Sequence, residues 1–244
     1  MQAIGAVPSV EWDEFWELLW NGDLMWRQGE HIAMIGPTGC GKSTLAMEML
    51  KMRRYTTLLC TKPYSSTLSK YIKANKYQTF TEWPDKVPAS RAPRRAIWPD
   101  VRTVGKIPRQ RYAIGHAMEQ IYTEGNWCVY ADELRYIADN LNLKPIVELF
   151  LQQGRELGVS FVGGMQRPKF VPLVVYSQST HLFFWRERDR RNLDTISAIN
   201  SIDSFFTAQQ ITQLEPHEFL YINTRVDPEY GGMLRSRLPL KEVK

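Results

Sequence analysis

The sequence predicts an α/β fold, a mostly parallel sheet covered by helices on both faces, and three observations predict it. Short apolar runs alternate with amphipathic stretches along the chain, the order that builds strand–helix–strand crossovers. One crossover is sharply marked: the apolar run His31–Ile35 meets a glycine-rich turn and then a helical stretch, Ser43–Arg53, with Leu45, Met49 and Met52 on one face. A further apolar run, Trp127–Ala131, ends in two adjacent carboxylates, Asp132 and Glu133, placed where parallel sheets gather ligand-binding groups at their C-terminal rim.

Taken in order, residues 9–21 read as an amphipathic helix. Trp12, Phe15, Trp16, Leu19 and Trp20 share its apolar face, and Ser9 is the candidate N-cap. After the first strand, turn and helix, Tyr55–Cys60 reads as a strand, Ser66–Lys76 as a short helix and Tyr77–Trp83 as another strand. Segment 84–111 carries Pro84, Pro88, Pro93, Pro99 and Pro108, so long regular elements are not expected there. A helix is expected over Arg109–Thr123 and a strand over Trp127–Ala131. Leu134–Asn140 reads as a helix, and Lys144–Leu157 as one opened by Pro145. Val159–Gly163, His181–Trp185 and Glu218–Asn223 supply further strands, and after a turn at Asp227–Gly232 the basic tail has the character of an edge strand. The domain reading is an N-terminal helical extension over 1–29, a core over 30–226 with a basic, proline-rich insertion at 84–111, and a C-terminal turn and tail over 227–244.

A length of 244 residues suits one α/β domain with additions. The net charge of +5 is mildly basic and selects no partner by itself. Cys40, Cys60 and Cys128 lack metal-ligand spacing, which favours a reducing compartment and free thiols. No apolar run approaches the ~18 residues of a membrane span. Glu11, Asp13 and Glu14 near the start are wrong for a signal peptide. A cytoplasmic protein is expected.

Gly36-Pro37-Thr38-Gly39-Cys40-Gly41-Lys42-Ser43-Thr44 fits G-x-x-x-x-G-K-[ST] between a strand and a helix, the context that gives the pattern meaning. Such a turn aims backbone N–H groups at one point, where helix polarity also favours negative charge. Lys42 would reach the β- and γ-phosphates of a nucleoside triphosphate, and the Ser43 hydroxyl would ligate Mg²⁺. Behind Cys128-Val-Tyr-Ala, Asp132 would hold Mg²⁺ through its water shell, and Glu133 would polarise a water for in-line attack. Acids also open ordinary helices; the apolar strand before the pair and the phosphate loop upstream favour the catalytic reading.

A third motif follows: a helix ending in Arg155, a glycine stop at Gly158, an apolar strand, then Gln166-Arg167-Pro168. Here the sequence resembles the HerA/FtsK superfamily of P-loop ATPases, over about Glu30 to Ile196 and with the three motifs in that family's order. The resemblance implies a RecA-like P-loop core, ATP and Mg²⁺ as cofactors, and a homo-oligomeric ring of five or six subunits. Gln166 then senses the γ-phosphate. Arg155 is the candidate arginine finger for a neighbour's nucleotide, with Arg167, Arg186 and Arg188 as competitors. Missing winged-helix, barrel and membrane segments point to compact viral or mobile-element members, hence genome packaging or DNA transfer, in the host cytoplasm if the chain is viral.

Between Lys86 and Arg111, eight lysines and arginines face Asp100 alone, a local charge of +7. Such a segment, with Trp98 in it, would hold double-stranded DNA phosphates without reading bases. Two other functions remain open: a small-molecule or nucleotide kinase in which 84–111 is an arginine-rich lid, and an assembly or secretion ATPase that binds no nucleic acid.

Overall fold

In the computed structural model, which describes residues 7–167, 173–199, 204–227 and 232–239, strands and helices alternate through most of the chain. They are α1 (Trp12–Trp20), β1 (His31–Ile35), α2 (Lys42–Leu50), β2 (Thr56–Leu59), α3 (Ser66–Ala74), β3 (Gln78–Phe80), β4 (Arg94–Ile97) and α4 (Ile107–Glu124). There follow β5 (Cys128–Ala131), α5 (Lys144–Gln153), β6 (Ser160–Met165), α6 (Leu173–Gln178), β7 (Ser179–Trp185), α7 (Arg190–Ile199), α8 (Ser204–Gln213), β8 (Glu218–Asn223) and β9 (Met233–Arg237). The strands hydrogen-bond in the order β3-β4-β2-β5-β6-β1-β7-β8-β9. This is the mostly parallel α/β sheet that the sequence predicts.

Two compact units divide the chain. One comprises Gln28–His31 and Ala46–Gly164. Its strands β3, β4, β2, β5 and β6 all pair in parallel. Leu58, Leu59, Ala96, Ile97, Val129, Tyr130, Phe161 and Val162 are buried, as expected of parallel strands covered on both faces. The other comprises Met1–Arg27, Ile32–Leu45 and Met165–Lys244. Here β7, β8 and β9 pair antiparallel. Phe15 of α1 packs edge-on against Phe183, Phe219 and Tyr221, so the tryptophan-rich helix buries its Phe15–Leu19 stripe within its own unit.

Several local expectations are corrected. Ser9 does not cap α1; it bridges to Arg235 in parallel, and Glu11 takes the N-cap position without a side-chain bond. Backbone pairing with β9 has priority there, because an unpaired edge strand leaves its polar groups open. Leu134–Asn140 is helical as expected, but Tyr136–Asn140 winds as a π-helix and not as a regular α-helix. The strand expected over Tyr77–Trp83 shrinks to Gln78–Phe80.

Segment 84–111, where no long regular element is expected, is nevertheless not all loop. It contains β4, which lies between β3 and β2. Arg95 of that strand is buried, its guanidinium 4.2 Å from the ring centre of Trp83 and 4.8 Å from that of Trp127. It donates to the carbonyls of Ala92 and Val87. Stacking on two indoles makes burial of this cation tolerable, and that is why a charged pair, Arg94-Arg95, can sit in a core strand. Pro168, most of the turn at 227–232 and the tail beyond residue 239 lie outside the described residues.

Candidate phosphate and carboxylate sites

The phosphate loop begins where β1 ends. Gly36 N–H donates to Met165 O, the last residue of β6, at 3.1 Å. This bond sets the exposed Gln166 directly after the strand that anchors the loop. Gly39 and Gly41 hold φ of +81° and +114°, left-handed conformations that a residue with a Cβ adopts only at a cost. They turn the chain sharply into α2, whose first turn closes with Leu45 N–H on Gly41 O at 2.9 Å. Lys42 is buried, and its ammonium donates to Gly36 O at 2.6 Å and Pro37 O at 2.7 Å. Burial pushes the neighbouring Cys40 thiol up, against the lowering influence of the Lys42 charge. Ser43 and Thr44 follow within the first turn of α2, as the motif requires.

Beside the loop lies a cavity of about 240 Å³, which no pattern along the chain reveals. Pro37, Thr38, Gly39 and Cys40 form one wall. Trp185 and Arg186 at the end of β7, with Glu215, Pro216 and His217 before β8, form the other. Among the described residues, Trp185 Nε1 and Arg186 Nε are buried without a hydrogen-bond partner. Buried donors normally find one, so these two suit a ligand with acceptor atoms. A Cβ placed on Gly41 would lie 3.8 Å from both Trp185 Nε1 and His217 Nδ1, which puts those groups against the loop. His217 has φ +63°, a strained setting of the kind that clusters at ligand sites.

In the other unit, β5 delivers Asp132 and Glu133 at its C-terminal end. Gly164 of β6 leaves room for the Asp132 backbone, since a Cβ there would approach Asp132 O to 2.7 Å. Tyr130 Oη donates to Asp132 Oδ1 at 2.6 Å. Lys62, three residues past β2, donates to Asp132 Oδ2 at 2.7 Å and lies 3.9 Å from Glu133 Oε2. Leu59 and Ala131 are in register, so the residues just beyond the two strands leave the sheet side by side. Burial alone would lower the Lys62 pKa; the Asp132 hydrogen bond and the two carboxylate charges outweigh it and raise it. Lys62 and Tyr130 are the contributors that sequence reasoning missed. The register of β2 on β5 identifies Lys62, which no local motif encodes, whereas Tyr130 stands two residues before Asp132 on its own strand.

Arg155 is exposed in the turn after α5. Its charge disfavours protonation of His31, the first residue of β1, whereas the phosphate loop follows the last. Arg167 and Arg188 are exposed, and Arg186 is half-buried. Of the basic segment, Arg94 donates to Asn75 O, Arg102 and Lys106 pair with Asp100, and Arg109 lies 3.4 Å from Glu82. Arg109, Arg111 and Tyr112 at the start of α4 are exposed. Among the described residues no group of three or more His, Cys, Asp and Glu forms a metal cluster, and no helix is long and apolar enough to cross a membrane.

No family model matches the sequence, and no curated protein is similar enough to count as a match. Solved structures do match. The DNA-packaging ATPase of Sulfolobus Turreted Icosahedral Virus is 16% identical, with a TM-score of 0.60 over 88% of this chain and 100% of its own. The genome-packaging NTPase of Sulfolobus turreted icosahedral virus 2, in complex with AMP, is 17% identical with a TM-score of 0.63, over 87% of this chain and 98% of its own. VirB4 of Thermoanaerobacter pseudethanolicus is 9% identical with a TM-score of 0.56, over 87% of this chain and 90% of its own. At these identities the likeness establishes the fold: this chain has the RecA-like α/β fold of P-loop ATPases.

Proposed function

We propose that this chain is an ATP-hydrolysing DNA translocase of HerA/FtsK type, acting as a homo-oligomeric ring in genome packaging or DNA transfer. The observation that carries the reading is the phosphate loop itself. Its left-handed glycines, buried Lys42 and tie to the strand that precedes Gln166 form the arrangement a triphosphate needs. The matched packaging enzymes support it, being solved with AMP, AMPPCP and ATP-gammaS.

In this reading the loop amides and Lys42 hold the phosphates, and the cavity at Trp185 and His217 takes the nucleoside. Ser43 and Asp132 supply the hard oxygen donors that Mg²⁺ prefers. The ion, held by these two, would supply charge neutralisation for the phosphates. Glu133 polarises the attacking water, and Gln166 reports whether the γ-phosphate is present. Arg155 is offered to the neighbouring subunit, where a planar guanidinium stabilises charge on the transferring phosphoryl.

DNA contact falls to the exposed arginines around the start of α4. The kinase alternative is weakened, because a lid cannot use Arg94 and Arg95 while they belong to a sheet strand. Hydrolysis assayed with and without double-stranded DNA across a salt series tests the proposal. DNA should stimulate turnover, and the stimulation should fade as salt rises. Equal rates at low salt would defeat the translocase.

A further inference from the structure

We propose that Lys62 is a regulatory positioning residue, an ammonium clamp on Asp132 and Glu133 that the segment from Trp98 to Gln110 sets or releases. The proposal rests on the ATPase reading and concerns how that activity is held in check.

The clamp is a matter of competing charge. An ammonium 2.7 Å from Asp132 and 3.9 Å from Glu133 occupies part of the negative charge both groups need for their assigned work. A carboxylate oxygen that already accepts from an ammonium has less room for a hydrated cation or an attacking water. Hydrolysis therefore gains when Lys62 withdraws. The side chain can do so, because it is 45% exposed and carried on a flexible four-carbon stem.

The backbone beneath it cannot move alone. Lys62 O accepts from Trp98 Nε1 at 2.8 Å. Thr61 O accepts from Gln110 Nε2, also at 2.8 Å, and this bond is buried. Gln110 Oε1 in turn accepts from Tyr136 Oη at 2.9 Å, in the π-helix that follows Glu133. One α4 side chain thus grips the stretch before Lys62 and the stretch after Glu133. Gln110 sits between Arg109 and Arg111, both exposed, near a helix N-terminus. A polyanion bound there pulls on the same turn of α4, and Gln110 transmits the displacement to Thr61 and Lys62. DNA binding and carboxylate release become one event.

The test compares Lys62→Ala, Lys62→Arg and Trp98→Phe with the wild type, reading kcat and KM for ATP with and without double-stranded DNA. Lys62→Ala should raise the DNA-free kcat about two- to fivefold, the scale of a half-exposed ion pair, with KM unchanged. Its stimulation ratio should fall towards one. Lys62→Arg keeps the charge and should restore both the low basal rate and the stimulation. Trp98→Phe removes the indole donor and should lower the ratio while ATP affinity holds. A Lys62→Ala enzyme with unchanged or reduced DNA-free kcat overturns the clamp. So does full DNA stimulation in that variant. If the wild type ignores DNA, the translocase reading fails, while the DNA-free kcat of Lys62→Ala still decides the clamp.

Discussion

Around Lys42 the bonds are made by the backbone of one short loop, while around Asp132 side chains make them: Tyr130 from the same strand, Lys62 from the stretch after β2 and, one bond further out, Trp98, Gln110 and Tyr136. A binding site for a fixed anion can be a backbone object, since amides and helix polarity suit any phosphate. A group that must change its charge state or release a proton needs side chains to tune it. The first region is therefore built to hold, and the second to be adjusted.

The sharpest break of that comparison is a pair of substitutions. Lys42→Ala should abolish nucleotide binding, removing the ammonium that the loop buries. Glu133→Gln should leave binding of a fluorescent ATP analogue intact while hydrolysis falls ~10²-fold or more, the range of general-base loss. If Glu133→Gln turns over ATP near the wild-type rate, the carboxylate region has lost its assigned chemistry and the two regions are not divided as described.

The same division explains what the sequence made legible. The phosphate loop, β1 and Asp132–Glu133 were readable because local periodicity and fixed spacing encode them, and β8 falls on its expected residues, Glu218–Asn223. The strand β4 was not, because Pro93 and the Arg94-Arg95 pair carry the signs of a solvated loop; only Trp83 and Trp127, distant in the chain, make that arginine a core residue. Lys62 and the Trp185 cavity were hidden for the same reason. Each depends on which strands become neighbours.

Arg95 gives the next largest effect. Arg95→Ala opens a void between two indoles and strips partners from Val87 O and Ala92 O. A loss of about 2–4 kcal/mol follows, read as a lower thermal midpoint. DNA affinity of the folded protein should not change, because the guanidinium is buried. A large affinity loss at unchanged stability would return Arg95 to the DNA surface.

His31 supplies the smallest effect and the one most specific to the carboxylate-bearing unit. Its Nδ1 accepts Phe161 N–H at 3.1 Å, and burial lowers its pKa from 6.5 to about 4, with the Arg155 charge adding to the shift and a backbone contact at Leu151 and Glu30 opposing it. Between those two values the unfolded chain binds a proton that the folded one refuses. Stability from this group is therefore complete above pH 6.5 and declines as pH falls towards 4, by up to roughly 3 kcal/mol. The measurement is denaturant unfolding of wild type and His31→Asn from pH 7 to 4.5, taken as a difference so that carboxylate titrations common to both cancel. The gap between the two should narrow steadily on acidification. Hydrogen exchange should show β5 and β6 amides losing protection before those of β8. A gap independent of pH would mean that His31 is protonated or solvated in the folded state. Acid would then not distinguish the region built to be adjusted from the region built to hold.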